Sequence, residues 1–141
     1  MAKRILVPVD DSDRTIVPLI ASLARGAGAT VRLLRVLPVP EMHVGDYGRV
    51  IAYVDQQMES RRGSAMLDLS GIEAELDGVP VESVVRFGDP VDEILLEADA
   101  FSADLVALAA RRRAWPWRAL RSSVADRVAR KAAPPVLVLR E

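Results

Sequence analysis

Residues 5–9, Ile-Leu-Val-Pro-Val, form the apolar run that decides the fold. The run has no polar alternation, which is typical of a strand buried on both faces, as in a parallel sheet. Beyond it, Ser12 can cap a helix that stops at 26–28, where two glycines lie. Pro18 is expected to kink this helix, because it lies beyond the first turn. The apolar positions that repeat at helical spacing are Ile16, Leu19, Ile20, Leu23 and Ala24.

The rest of the chain continues to alternate between strand-like and helix-like segments. The pattern predicts further strands at 31–37, 81–87, 105–108 and 136–139, and further helices at 49–76, at 90–101 and from Ser122 or Ser123 to about Ala132. Gly63 and Gly71 could mark a break in the longest helix. Strands alternating with helices predict an α/β fold, an open five-stranded and mostly parallel sheet with helices on both faces. With no linker or repeat, residues 1–141 are expected to form a single domain.

The amino-acid composition excludes several classes of protein and of functional site. Half of the residues are hydrophobic and 28% are charged, as in a folded globular domain. The apolar runs are far shorter than the roughly 20 residues of a membrane-spanning helix, and no signal peptide is visible. We therefore expect a cytoplasmic protein with no membrane partner. The chain has no cysteine, which excludes disulfides, iron–sulfur clusters and cysteine nucleophiles.

The only histidine, His43, lies in a polar loop with Glu41 and Asp46 nearby in the sequence. One histidine and scattered carboxylates make a poor metal site. No nucleophile, base and orienting acid can be assembled around it. We therefore expect no metal and no catalytic residues, so that the protein is predicted not to be an enzyme.

Candidate ligand contacts follow from the predicted sheet. In open α/β sheets, ligands bind beyond the carboxyl ends of the strands, where the strand order reverses. This rule brings together Asp10, Val36, the pair at 87–88 and Ala109. The Asp10 carboxylate could accept hydrogen bonds from a ribose hydroxyl or an adenine amine, or it could cap the next helix. Both interpretations stay open.

Residues 104–124 place a strand, an arginine-rich loop and a capped helix in the order of a phosphate site. A helix that starts at Ser122 or Ser123 directs its unpaired N–H groups and positive dipole end towards the loop. The loop adds forked donors suited to phosphate, at Arg111, Arg112, Arg113, Arg118 and Arg121. We predict either an anion site that includes Arg112 and Ser122, or arginines that are solvated or paired with acids.

Charge is distributed unevenly along the chain. Residues 111–131 hold eight basic residues against one acid, whereas 41–99 hold 14 acids against four arginines. Trp115 and Trp117 lie among the arginines, as in some nucleic-acid-binding surfaces. A formal net charge of −1, however, provides no general electrostatic footprint for nucleic acid. We expect the loop to contact an unidentified protein partner or the acidic half of its own chain.

The chain resembles the universal stress protein family over nearly its whole length. Residues 5–12, Ile-Leu-Val-Pro-Val-Asp-Asp-Ser, are similar to that family's opening strand and turn. The family's closing half is similar to residues 104–108, 123–124 and 135–139. In the ATP-binding branch, the loop after the fourth strand carries Gly, two residues, Gly, nine residues, Gly, and then Ser or Thr. Those four positions hold Ala109, Arg112, Ser122 and Ser123 here.

Three glycines are thus replaced and only the hydroxyl position is kept. Glycines of this kind let the backbone approach phosphates without an obstructing Cβ. The resemblance therefore implies nucleotide contacts only at Asp10 for the base or ribose, Val36 for the base and Ser123 for a phosphate. It implies a stress-response regulatory or interaction module with impaired or absent ATP binding. The alternative is an ATP-binding member with slow hydrolysis or phosphotransfer, in which arginines replace the glycines. ATP is the one cofactor under consideration.

The final predicted strand, Val136, Leu137, Val138 and Leu139, favours a homodimer. It is apolar without polar alternation, yet as the last strand it should lie at an edge of the sheet. Antiparallel pairing with the same strand of a second copy would cover that edge. Members of the family that the chain resembles commonly dimerise in this way.

Overall fold

A computed structural model describes residues 3–10, 14–40, 47–110 and 124–140. Strands and helices alternate through these ranges. The strands are β1 (Arg4–Pro8), β2 (Thr30–Leu37), β3 (Val81–Phe87), β4 (Leu105–Ala110) and β5 (Val136–Arg140). The helices are α1 (Ile16–Ala27), α2 (Tyr47–Glu75), α3 (Pro90–Phe101) and α4 (Val124–Lys131). In this part of the chain, no helix is long and apolar enough to cross a membrane.

The strands form one sheet in the order β3-β2-β1-β4-β5, and each pairing of neighbours is parallel. The predicted α/β fold is confirmed, with a sheet that is wholly parallel in the described ranges. Successive strand side chains point to opposite faces. Ile5 and Val7 therefore join the core beneath α1 and α2, and Leu6 joins the core beneath α3 and α4. The strand order reverses between β1 and β4, which fixes where a ligand site is expected.

Helix α1 begins later than the sequence predicts. Thr15 occupies the N-cap position, without a side-chain capping bond, so the prediction of Ser12 as the cap is wrong. Ser12 itself lies outside the described residues. Gly28 ends the helix as predicted, with a left-handed φ of 65° and an N–H that donates to the carbonyl of Ala24.

The later start of α1 also changes the expectation for Pro18. It becomes the third helical residue, in the first turn, where N–H groups have no intrahelical partner and proline removes no bond. The reason for the predicted kink therefore disappears. Two of the apolar positions at helical spacing, Leu19 and Leu23, are 36% and 37% exposed. The buried positions of α1 are Ile16, Val17, Ile20, Ala21 and Ala24.

Helix α2 runs without interruption from Tyr47 to Glu75, so the break considered at Gly63 or Gly71 does not occur. Tertiary packing outweighs the low helix propensity of glycine here, because one face of the helix is buried. The residues buried along that face are Ala65, Leu69 and Ile72, with Leu76 directly after the helix.

Helix α3 starts as predicted from its sequence. The Asp89 carboxylate accepts the backbone N–H of Asp92 at 3.1 Å, and Pro90 takes the first helical position. Helix α4 begins at Val124 in the described part of the chain. The predicted caps of α4, Ser122 and Ser123, lie outside it.

Candidate functional site

The strand order reverses where β1 meets β4. These strands pair at Ile5–Leu105 and Leu6–Val106, near their amino ends. The place expected for a ligand is therefore beyond the carboxyl ends of β1 and β4, next to Asp10 and Ala110.

Two of the predicted nucleotide residues lie towards the carboxyl ends of neighbouring strands. Pro8 and Leu34 form the last pair of the β1–β2 ladder, and the Val9 N–H donates to the carbonyl of Leu34 at 2.9 Å. Asp10 follows Pro8 by two residues, and Val36 follows Leu34 by two residues within β2. Asp10 is exposed, and Val36 is half-buried against the core beneath α3 and α4. Both residues predicted to contact a base or ribose thus lie at the edge of the sheet where the strand order predicts a ligand.

Ala109 lies at the same edge, one residue before the end of β4. It is opposite Leu139 in the β4–β5 ladder and is half-buried against the core beneath α1 and α2. A Cβ therefore occupies the position of the first glycine in the ATP-binding pattern. The remaining predicted site residues, Arg112, Ser122 and Ser123, lie outside the described residues, as do His43, Trp115 and Trp117.

At the end of β3, the predicted position 87–88 makes contacts with β2, α2 and α3. Gly88 has a φ of 149°, and a Cβ added there would lie 2.7 Å from Oε1 of Glu93. Its N–H donates to the carbonyl of Leu37 at 3.0 Å, and the Arg62 guanidinium lies 5.6 Å from the Phe87 ring centroid. The positive φ favours glycine here, and an added Cβ would also require the Glu93 side chain to shift.

A buried ion-pair network, which the sequence did not predict, joins α3 to β2 and β3. Glu97 is 2% exposed, and its carboxylate accepts hydrogen bonds from Arg32 Nη1 at 2.7 Å and from Arg86 Nε. Arg32 Nε also donates to Glu82 at 2.7 Å, and Arg86 Nη1 donates to Glu93 at 3.2 Å. Both oxygens of the buried carboxylate are therefore paired with guanidinium groups.

Hydrogen bonds within the network raise the pKa of both guanidinium groups. Burial alone would lower the pKa of Arg32, but hydrogen bonds and the charges of Glu82 and Glu97 outweigh burial and raise it. The hydrogen bond to Glu97 also raises the pKa of Arg86, against the opposing effect of burial. The network attaches α3 to β2 and β3.

A sequence signal for this network was present. Glu97 lies among the apolar positions Ile94, Ala98 and Phe101 of α3, at helical spacing. Arg32 and Arg86 lie in two strands that are mostly apolar. A charged side chain on a face expected to be buried needs a partner of opposite sign. The sequence therefore contains a reason to pair Glu97 with Arg32 and Arg86.

The described ranges hold no group of three or more histidine, aspartate or glutamate side chains arranged to bind a metal ion.

The chain is similar to known proteins both in sequence and in fold. Residues 1–140 match the sequence model of the Universal stress protein family. Among curated proteins there is no significant match. Among solved structures, the hypothetical protein MJ0577 superposes with a TM-score of 0.83 and 23% identity, over 100% of this chain and 97% of that one. UspA from Lactobacillus plantarum superposes with a TM-score of 0.72 and 21% identity, over 98% of this chain and 97% of that one.

A third solved structure contains a nucleotide. It is the universal stress protein from Archaeoglobus fulgidus in complex with dAMP, with a TM-score of 0.64 and 21% identity, over 96% of each chain. At these identities the likeness establishes a shared fold.

Proposed function

Since the chain belongs to the universal stress protein family, we propose that it is a stress-response regulatory or interaction module that binds ATP weakly or not at all. The observation that carries this proposal is Ala109, whose side chain is held in the sheet next to Leu139. The ATP-binding branch has glycine at this position. A methyl group fixed in a strand cannot move aside for a phosphate as a loop side chain can.

Two further substitutions act in the same direction. Arg112 and Ser122 replace the other two glycines of the phosphate loop. Each adds a Cβ where the pattern requires close backbone approach, and Arg112 adds a long side chain. We infer that the phosphate half of the family's nucleotide site is impaired, while Asp10 and Val36 preserve its base half.

The preserved base half supports the alternative function. Asp10 and Val36 lie towards the carboxyl ends of the neighbouring strands β1 and β2, and the Archaeoglobus fulgidus relative is in complex with dAMP. An adenine nucleotide could bind through these residues, with arginines of the segment 111–121 facing its phosphates. Slow hydrolysis or phosphotransfer would then be possible. We favour the binding module, because Ala109, Arg112 and Ser122 stand where the ATP-binding pattern has the glycines that let the backbone approach the phosphates.

A homodimer through β5 completes the proposal. β5 lies at the edge of the sheet, so one side of its backbone is unpaired within a single described chain. Val136 and Val138 pack against the core beneath α3 and α4, and Leu137 and Leu139 against the core beneath α1 and α2. All four remain only half-buried. A second copy that pairs with this edge would satisfy the backbone groups and cover the remaining apolar surface.

Nucleotide content distinguishes the two candidate functions. The purified full chain is denatured, and any released nucleotide is identified and quantified by mass spectrometry. We expect far less than one ATP per chain. About one ATP per chain, lost in an Asp10→Ala variant prepared in the same way, would establish the alternative and overturn the proposal.

A further inference from the structure

Two exposed leucines of α1, Leu19 and Leu23, lie one helical turn apart on the flank that faces the β5 side of the sheet. The opposite flank is marked by Arg25, whose guanidinium donates to the carbonyl of Asp77, between α2 and β3, at 2.8 and 3.1 Å. Successive helical residues are about 100° apart, so Leu19 and Leu23 lie roughly 120° and 160° around the helix from Arg25. Leu23 also borders a cleft with Leu105 of β4. Both leucines therefore face away from α2 and β3.

On the same face of the sheet, β5 carries two further leucines. Leu137 and Leu139 pack against the core beneath α1 and α2, and both are only half-buried. Helix α2 packs on β2 and β3 and α1 packs on β4, which makes α1 the helix nearest to β5 on this face in the described ranges. We call Leu19, Leu23, Leu137 and Leu139 the leucine margin. It is an apolar surface beside an unpaired strand edge, and such surfaces mark interaction sites.

The backbone edge of β5 is too short to hold a dimer by itself. β5 has five residues, and at about 3.4 Å per residue such a strand spans roughly 17 Å. Stable interfaces bury about 800 Å² on each partner. The paired edge supplies only part of that area, so the rest has to come from side chains beside β5. On the face covered by α1, those side chains are the leucine margin.

We propose that Leu19 and Leu23 belong to the homodimer interface, where they pack against the leucine margin of a second copy. This inference rests on the proposed pairing through β5. Antiparallel pairing about a two-fold axis puts the α1 faces of both copies on the same side of a continuous sheet, with the two leucine margins on either side of the axis. Each copy then buries apolar surface that a single chain leaves exposed.

Sedimentation equilibrium of the full chain tests the inference with Leu19→Asp, Leu23→Asp and a matched control. Each of these variants should weaken dimerisation roughly tenfold or more, since it removes a leucine contact and places a charge in an apolar interface. Leu67→Asp is the control, because Leu67 is 76% exposed on α2, the helix that packs on β2 and β3. It should dimerise as the unaltered chain does. Circular dichroism should show the same fold in all three variants, because each leucine is exposed in the single chain.

A second measurement does not depend on weakening the dimer. The chain has no cysteine, so Leu19→Cys and Leu67→Cys each provide one thiol for alkylation with N-ethylmaleimide. We expect the Leu19→Cys thiol to react more slowly in the dimer than in the monomer obtained by dilution, because the second copy covers it. The Leu67→Cys thiol should react at the same rate at both concentrations.

The outcomes separate this inference from the pairing on which it rests. A dimer that tolerates both aspartate substitutions in α1 as well as it tolerates Leu67→Asp would overturn the inference and leave the β5 pairing in place. A Leu19→Cys thiol that the dimer does not protect would do the same. A monomeric unaltered chain would overturn the β5 pairing and the inference together.

Discussion

The Arg32 guanidinium on β2 donates to the Glu97 carboxylate on α3 at 2.7 Å, across 65 positions of sequence. Arg32 also lies 4.2 Å from the centroid of the Phe101 ring, one helical turn beyond Glu97. A single strand residue thus binds a charged and an aromatic residue of the same helix face. The pair fixes α3 against the sheet at a point where the surrounding core is apolar.

Replacing Glu97 by Gln should strongly destabilise the fold. The substitution leaves Arg32 and Arg86 without their shared counter-charge in a mostly buried place. We expect a loss of roughly 3 kcal/mol in the free energy of unfolding, at the lower end of the range for breaking a buried pair, since both arginines keep some solvent contact. Urea unfolding followed by circular dichroism measures the change.

The matched control is Glu82→Gln. Glu82 also pairs with Arg32, but its side chain is half exposed. An exposed pair contributes about 1 kcal/mol or less. If Glu97→Gln and Glu82→Gln lost equal amounts of unfolding free energy, burial of the Glu97 ion pair would not add to its contribution to stability.

Gly88→Ala should destabilise the protein, whereas Gly63→Ala should stabilise it slightly. Gly88 has a positive φ of 149°, and its added Cβ would meet Glu93 at 2.7 Å. Gly63 lies inside α2, with no atom within 4 Å of an added Cβ. We expect a loss of about 1–3 kcal/mol for the first and a gain of about 0.5–1 kcal/mol for the second. Thermal unfolding of both variants checks the opposite signs, and a neutral Gly88→Ala would contradict this view of the β3 end.

Val138→Pro should abolish the proposed dimer. The Val106 N–H donates to the carbonyl of Pro135 at 3.0 Å, so alternate residues of β5, including Val138, direct their N–H groups away from β4. Proline at 138 removes a donor from the outer edge without breaking the β4 ladder. Sedimentation velocity should show a dimer for the unaltered chain, and monomer or precipitate for the variant.

Val138→Thr keeps both the N–H and nearly the same shape, and so it serves as the control that should remain dimeric. A monomer at tens of micromolar for the unaltered chain, an ordinary range for weak association, would refute pairing through β5.

Changing Arg111, Arg112 and Arg113 together to Ala should leave folding nearly intact. The affinity for nucleic acid should be equally low in the unaltered chain and in the triple variant. The net charge of −1 gives DNA or RNA little general attraction. Circular dichroism tests the fold, and a mobility-shift titration at two salt concentrations tests binding. Tight, steeply salt-dependent binding by the unaltered chain that disappears in the triple variant would assign the arginines to nucleic acid.

Strand β3 and the start of α3 could be predicted from local sequence. Residues 81–87 form a strand with the predicted bounds, and Asp89 and Pro90 start α3 because their local chemistry favours a helix start. The exposure of Leu19 and Leu23 could not be predicted, because it depends on which elements pack against α1. That Asp10 and Val36 lie on neighbouring strands depends on the pairing of β1 with β2, which no single strand encodes.

Titration of the full chain with ATP and Mg²⁺ by isothermal titration calorimetry tests the impaired phosphate site most directly, with Asp10→Ala as the companion variant. We predict no saturable binding at micromolar ATP, because Ala109, Arg112 and Ser122 obstruct the phosphates. Saturable micromolar binding that is lost in Asp10→Ala would contradict the proposed function and show that arginines can replace the glycine loop.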